Sequence, residues 1–149
     1  MDEQSVRRTD EDVEAFIANS ADPGALRTLD AAIRSAIPGI SRTLWRGVSW
    51  GGTEQAIIGY GDITQPRPRG PAVEWFLIGL AQQQRHLSLY INAADEGRYL
   101  SQHYAERLGR VKVGAASIAF RSPDLLDLGV LDEMLHHAAR VQPPDQPRG

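Results

Sequence analysis

His86, Ser88 and Tyr90 stand two residues apart in the run Arg85-His86-Leu87-Ser88-Leu89-Tyr90. An imidazole exchanges protons near neutral pH, and a hydroxyl beside it can be activated as a nucleophile. Such a pair also needs an acid to orient the imidazole, and this run contains none. The same side chains suit binding, where a few placed hydrogen-bonding groups orient a ligand. Trp45, Trp50, Lys112 and Ser117 can join them only if the fold brings separate strands together. These seven residues form the candidate ligand site. No residue is assigned a catalytic role. The plainer use of such a row is a solvated or helix-covered polar face, since surfaces hold polar residues.

The stretch that must position the row is Trp75 to Ala93, WFLIGLAQQQRHLSLYINA. Trp75 to Leu80 is a short, almost continuous apolar run, which reads as a buried strand. A membrane span would need about 20 residues. After Gln82-Gln83-Gln84, Arg85, Leu87, Leu89 and Ile91 alternate with His86, Ser88, Tyr90 and Asn92. That period of two is a strand with one apolar face, and it puts successive polar side chains about 7 Å apart. Two strands joined by a short polar turn make an antiparallel hairpin. A lone hairpin is marginal in water, so other elements must cover its apolar side.

The rest of the chain supplies those elements. Thr9 to Asp12 opens a short helix carrying Val13, Phe16 and Ile17. Asp22-Pro23 opens a second, with Leu26, Leu29, Ile33 and Ile37 as its buried stripe, and Pro38-Gly39 stops it. Leu44 to Gly61 holds two strands interrupted by glycines. Thr64 to Pro71 is a proline-rich loop. Asp95 to Leu108 reads as a helix ended by Gly109. Ala115 to Phe120 is the last strand, and Gly129 to Val141 the closing helix. The class expected is α+β: a central antiparallel sheet of four to five strands, two N-terminal helices, one inserted helix and a C-terminal helix. A single domain is expected over residues 9–141, with flexible tails at 1–8 and 142–149.

Composition excludes several functions. The 149 residues carry a net charge of −3, so nothing favours nucleic acid or an anionic membrane as a partner. The absence of cysteine excludes disulfides, thiolate metal sites and a cysteine nucleophile. Lys112 is the one lysine against fifteen arginines, a bias that a GC-rich genome explains without arginine-driven recognition. The start Met1-Asp2-Glu3-Gln4 is neither basic nor apolar, so no signal peptide is expected and the location expected is cytoplasmic. No nucleophile elbow, phosphate-binding glycine loop or HExxH pattern occurs. His136 and His137 are adjacent on a helix and diverge by about 100°.

Several short motifs in order resemble the YdhG-like family of small bacterial domains of unknown function. They are Pro38-Gly39 after the second helix, Trp50-Gly51 at a strand, Arg85 to Tyr90, and Lys112-Val113-Gly114-Ala115-Ala116-Ser117-Ile118-Ala119-Phe120. The resemblance runs over roughly Asp10 to Arg140. The family's Trp-Gly-x-Pro reads Trp50-Gly51-Gly52-Thr53 here, without the proline. The resemblance implies an antiparallel sheet backed by helices and no settled reaction. Its members are often described as frataxin-like iron chaperones. Under that alternative Asp10, Glu11, Asp12 and Glu14 would hold iron on an exposed helix face; capping and helix-dipole complement are their other use. The reading adopted is a non-enzymatic binding or accessory domain with no cofactor, whose partner is a small molecule or a protein, with a homodimer left open. An enzyme using His86 is the remaining alternative.

Overall fold

A computed structural model describes residues 6–48, 54–66 and 68–145. The architecture is α+β. A seven-stranded sheet runs in the order β1-β2-β3-β4-β5-β9-β8, with a separate two-stranded hairpin, β6-β7. All pairings in the large sheet are antiparallel. In chain order the elements are β1 (Arg7–Arg8), α1 (Val13–Ala18), α2 (Pro23–Ala36), β2 (Arg42–Val48), β3 (Glu54–Gln65), β4 (Val73–Gln82) and β5 (Leu87–Ile91). Then follow β6 (Ala94–Asp95), β7 (Arg98–Tyr99), α3 (Leu100–His103), β8 (Lys112–Val113), β9 (Ser117–Phe120) and α4 (Leu128–Val141).

The sheet is wider than the expected four to five strands because β1 and β8 are two residues each, too short to show a period. β1 also lies within the segment expected to be a tail: Arg7 and Arg8 pair with Arg46 and Trp45 of β2. At the other end, Asp145 N–H donates to the Asp62 carbonyl at 2.6 Å, so the chain beyond α4 lies along β3.

One face of the sheet carries the core. Leu26, Leu29 and Ile33 of α2 and Leu131, Met134 and Leu135 of α4 pack onto Leu44, Ile58, Ile78, Leu80, Leu89 and Ile118 of the sheet. Each such side chain contributes about 1.5–3 kcal/mol when fully buried. Both long helices start on an aspartate: Asp22 accepts from Ala25 N–H at 3.1 Å and Asp127 from Val130 N–H at 3.1 Å.

Among the described residues Asp30 is the one buried carboxylate, 6% exposed. Tyr60 Oη donates to it at 2.7 Å, Arg42 Nη1 at 3.2 Å and Arg34 Nη1 at 3.4 Å. Burial, then the bond to Asp30, pushes the Tyr60 phenol far above its ordinary range. Arg42 also reaches Glu14 at 2.9 Å, so one network joins α1, α2, β2 and β3.

The stretch expected as a helix from Asp95 to Leu108 is mostly something else. Glu96 (φ 53°) and Gly97 (φ 80°) both take left-handed backbone. Two such residues make the tight turn that joins β6 to β7. Helix follows only over Leu100–His103, with a 3₁₀ turn at Ala105–Arg107. Of the residues with helical spacing in this stretch, Leu100, Tyr104 and Leu108 face the core and Tyr99 is exposed, so the spacing was informative about burial at three of four positions but not about conformation.

Candidate functional site

Among the described residues no helix covers the sheet's other face, which divides into two halves. On the half made by β2, β3 and β4, Trp45, Ile57, Phe76 and Ala81 form a second, smaller core with Val6, Trp75 and Tyr90 packed against it. Two glycines make room for the rings. A methyl group on Gly59 would sit 2.5 Å from Trp45 Nε1, and one on Gly79 would sit 2.5 Å from Phe76 Cε1. Trp45 meets Trp75 and Phe76 edge-on at 5.3 and 5.4 Å between ring centroids, and the Arg8 guanidinium lies over its ring at 5.1 Å. Pairing between β3 and β4 skips Gly61 (φ 75°) and Leu77, so Leu77 and Ile78 both face the main core while Phe76 stays with Trp45.

The other half is an open groove of about 940 Å³. The register explains its floor. Ser88 of β5 is paired with Ala119 of β9, and Ala119 with Lys112 of β8, so the three lie in one row across the sheet. Tyr90 and Ser117 form the next row. A small residue at Ala119, between Ser88 and Lys112, keeps the floor low. The turn before β5 is closed by Gln83 N–H to the His86 carbonyl at 2.8 Å, which sets Gln83, Arg85 and His86 at one end. The other wall is the segment Gly109 to Lys112. Arg110 N–H donates to the Leu125 carbonyl at 2.8 Å, and Gly109 bridges to Leu126.

His86, Ser88, Tyr90, Lys112 and Ser117 therefore line one concavity. Trp45 does not; it is 3% exposed in the aromatic cluster. Its Nε1 is buried and has no hydrogen-bond partner among the described residues. Trp50 lies outside the described residues. Sequence reasoning missed Gln83, Arg85, Arg110 and Arg121. The signal for two of them was present: Arg121 continues the alternation Ser117, Ala119, and Arg110 continues it back from Lys112.

Within the groove, Ser88 Oγ donates to Gln83 Oε1 at 2.7 Å, and Gln83 Nε2 donates to Tyr90 Oη at 3.5 Å. The Ser88 proton is thus directed at an amide, not at His86. Among the described residues four cations line the groove, Arg85, Arg110, Lys112 and Arg121, and no carboxylate does. All four are exposed.

A histidine with an orienting acid does exist, elsewhere in the molecule. His137 Nε2 meets Asp95 Oδ2 at 2.7 Å, and its Nδ1 meets Tyr104 Oη at 2.9 Å. The hydrogen bond from His137 holds the Asp95 carboxyl below its usual range. For neutral His137 this pattern requires Nε2–H donating to Asp95 and the Tyr104 hydroxyl donating to Nδ1. Tyr104 is 9% exposed and none of the three lines the groove. The chain fastens the β6–β7 hairpin and α3 to α4.

On α1 and its approach, Glu11 pairs with Arg46 at 2.6 Å, Asp12 caps the helix through Ala15 N–H at 3.2 Å, and Glu14 pairs with Arg42 at 2.9 Å. Among the described residues no three His, Asp or Glu side chains are grouped as metal ligands. No helix among them is long and apolar enough to cross a membrane.

Comparison with known proteins finds no matching family model, no matching curated protein and no matching solved structure.

Proposed function

We propose that this chain is a small non-enzymatic binding or accessory domain whose ligand sits on the open face of the sheet, in the groove over β5, β9 and β8. One observation carries the reading. Strand register sets Ser88, Tyr90, Lys112 and Ser117 around one 940 Å³ groove, although they lie on three strands, and the turn before β5 adds His86. The volume suits a small molecule, for which sites commonly span about 300–1,000 Å³. Gln83, Ser88 and Tyr90 form a hydrogen-bonded set that presents fixed donors and acceptors to an occupant. The motifs behind the YdhG-like resemblance, HLSLY and KVGAASIAF, contribute β5, β8 and β9, and membership of that family is part of this proposal.

The test is a thermal-shift screen of small molecules on the intact chain, repeated on His86→Ala with Tyr90→Phe. Both positions are away from the main core, so the variant is expected to fold. Ligands that raise the melting temperature of the parent are expected to lose that effect in the variant. Stabilisation of the same size in both proteins would place the site elsewhere.

A further inference from the structure

Among the described residues lining the groove there are cations and no acid. The chain holds more carboxylates than cations, 19 against 16. Among the described residues outside the groove, five arginines pair with acids: Arg8 with Asp62 and Glu74, Arg34 with Asp30, Arg42 with Glu14 and Asp30, Arg46 with Glu11, and Arg107 with Glu133. Arg85, Arg110, Lys112 and Arg121 make no ion pair with a described residue, and all four line one concavity with no acid in its lining. Like charges held around one concavity repel, and a bound anion converts that repulsion into attraction. Guanidinium groups match carboxylate and phosphate oxygens in bidentate geometry.

From this we infer that the ligand is a small organic anion, a carboxylate or phosphate monoester. Its charged end is held by Arg85, Arg110, Lys112 and Arg121. Its remainder meets Ser88, Tyr90 and Ser117, together with the apolar lining at Val111, Ala119 and Leu125. The inference rests on the proposed binding role of the groove and adds the chemistry of the occupant. The net charge of −3 and the small number of cations in the groove, four, favour a small anion over nucleic acid, which needs a basic stripe along many phosphates.

The experiment is calorimetric titration of the full chain at low salt with phenyl phosphate, phenylacetate, inorganic phosphate, the neutral isostere benzyl alcohol, and an oligothymidylate of about ten nucleotides. Amide spectra locate each ligand. The variants are Arg85→Gln with Lys112→Gln, Arg110→Gln with Arg121→Gln, and Arg27→Gln with Arg140→Gln as a control at exposed cations outside the groove. The expected result is that phenyl phosphate or phenylacetate binds at the groove, at least about tenfold more tightly than benzyl alcohol. Affinity falls by a similar factor in either groove pair, is unchanged in the control pair, and declines as salt rises. Phenyl phosphate ahead of phenylacetate identifies a phosphate ligand, and the reverse order a carboxylate. Benzyl alcohol binding equally well in the groove, or anion binding untouched by both groove pairs, overturns the anionic class while leaving the groove as a site. Oligothymidylate binding more tightly than either small anion overturns it in favour of nucleic acid. No ligand shifting any groove amide overturns both the anionic class and the binding role.

Discussion

Gly59→Ala is expected to destabilise the protein, against the usual benefit of replacing glycine in a strand. Its added methyl would stand 2.5 Å from Trp45 Nε1, 2.7 Å from Trp45 Cδ1 and 2.9 Å from Phe76 Cβ. Real side chains do not approach so closely, and the Trp45 ring cannot swing away: Trp75, Phe76 and Arg8 surround it. Overpacking of this kind costs about 1–3 kcal/mol, and the backbone gain from removing glycine returns about 0.5–1 kcal/mol. The net loss is centred on about 1 kcal/mol and reaches about 2.5 kcal/mol. Urea unfolding followed by tryptophan fluorescence reads it as a lowered midpoint at unchanged slope. Gly24→Ala is the control, since its methyl meets only Asp22 Oδ1 at 3.8 Å. It is expected to be neutral or stabilising by up to about 1 kcal/mol. In a Trp45→Leu background the Gly59→Ala penalty shrinks, because two of its three close contacts are gone. A Gly59→Ala protein as stable as its parent would refute the seating of Trp45 over Gly59. The aromatic wall that bounds the open half of the sheet would go with it.

Other perturbations follow from the same geometry. Arg42→Ala removes the cation that reaches both oxygens of buried Asp30 and is expected to cost about 3 kcal/mol in chemical unfolding. Gly109→Ala puts a methyl 2.3 Å from the Leu125 carbonyl oxygen at φ 107°. It is expected to lower both stability and ligand affinity, because Gly109 begins the wall that carries Arg110 and Lys112. The hydrogen bond from His137 depresses the Asp95 pKa in the folded state. Its contribution to stability is therefore present above the unfolded value near 3.8 and disappears as pH falls through the lower folded value. A pH series of unfolding midpoints on the parent and on Asp95→Asn is expected to converge in acid. Curves that stay parallel down to the acid limit would remove the His137–Asp95 link.

The hairpin at the centre of the fold was legible because both signals agreed. Trp75 to Leu80 is apolar on both sides, as a strand between two cores must be, and Leu87 to Ile91 alternates with helices on one side only. α1 was legible from its Thr9–Asp12 start, α2 from the Asp22–Pro23 cap and α4 from its apolar stripe, while the cap at Asp127 was not read. Residues 95–108 misled because Tyr99, Leu100, Tyr104 and Leu108 have helical spacing, while Glu96-Gly97 dictates a turn that local backbone geometry enforces. Ser88 and Tyr90 could be read from their period and Lys112 and Ser117 from their strands, whereas His86, expected in the same strand, lies in the turn before it and reaches the groove from there. The charge of the groove could not. Arginine is abundant throughout the chain, and only the fold separates those that meet an acid from those that do not. Trp45 looked available for a ligand because nothing in its neighbours reveals that Gly59, fourteen residues on, is the seat for its ring.

The most direct measurement on the groove is an amide ¹H–¹⁵N titration of the whole chain with a panel of small organic molecules, scored only by where the shifts fall. Shifts concentrated at Gln83 to Tyr90 and Gly109 to Arg121, with the helical face silent, are the expected result. Shifts centred instead on the acids of α1, on the Asp95–His137–Tyr104 chain, or nowhere at all would contradict a ligand site over β5, β9 and β8.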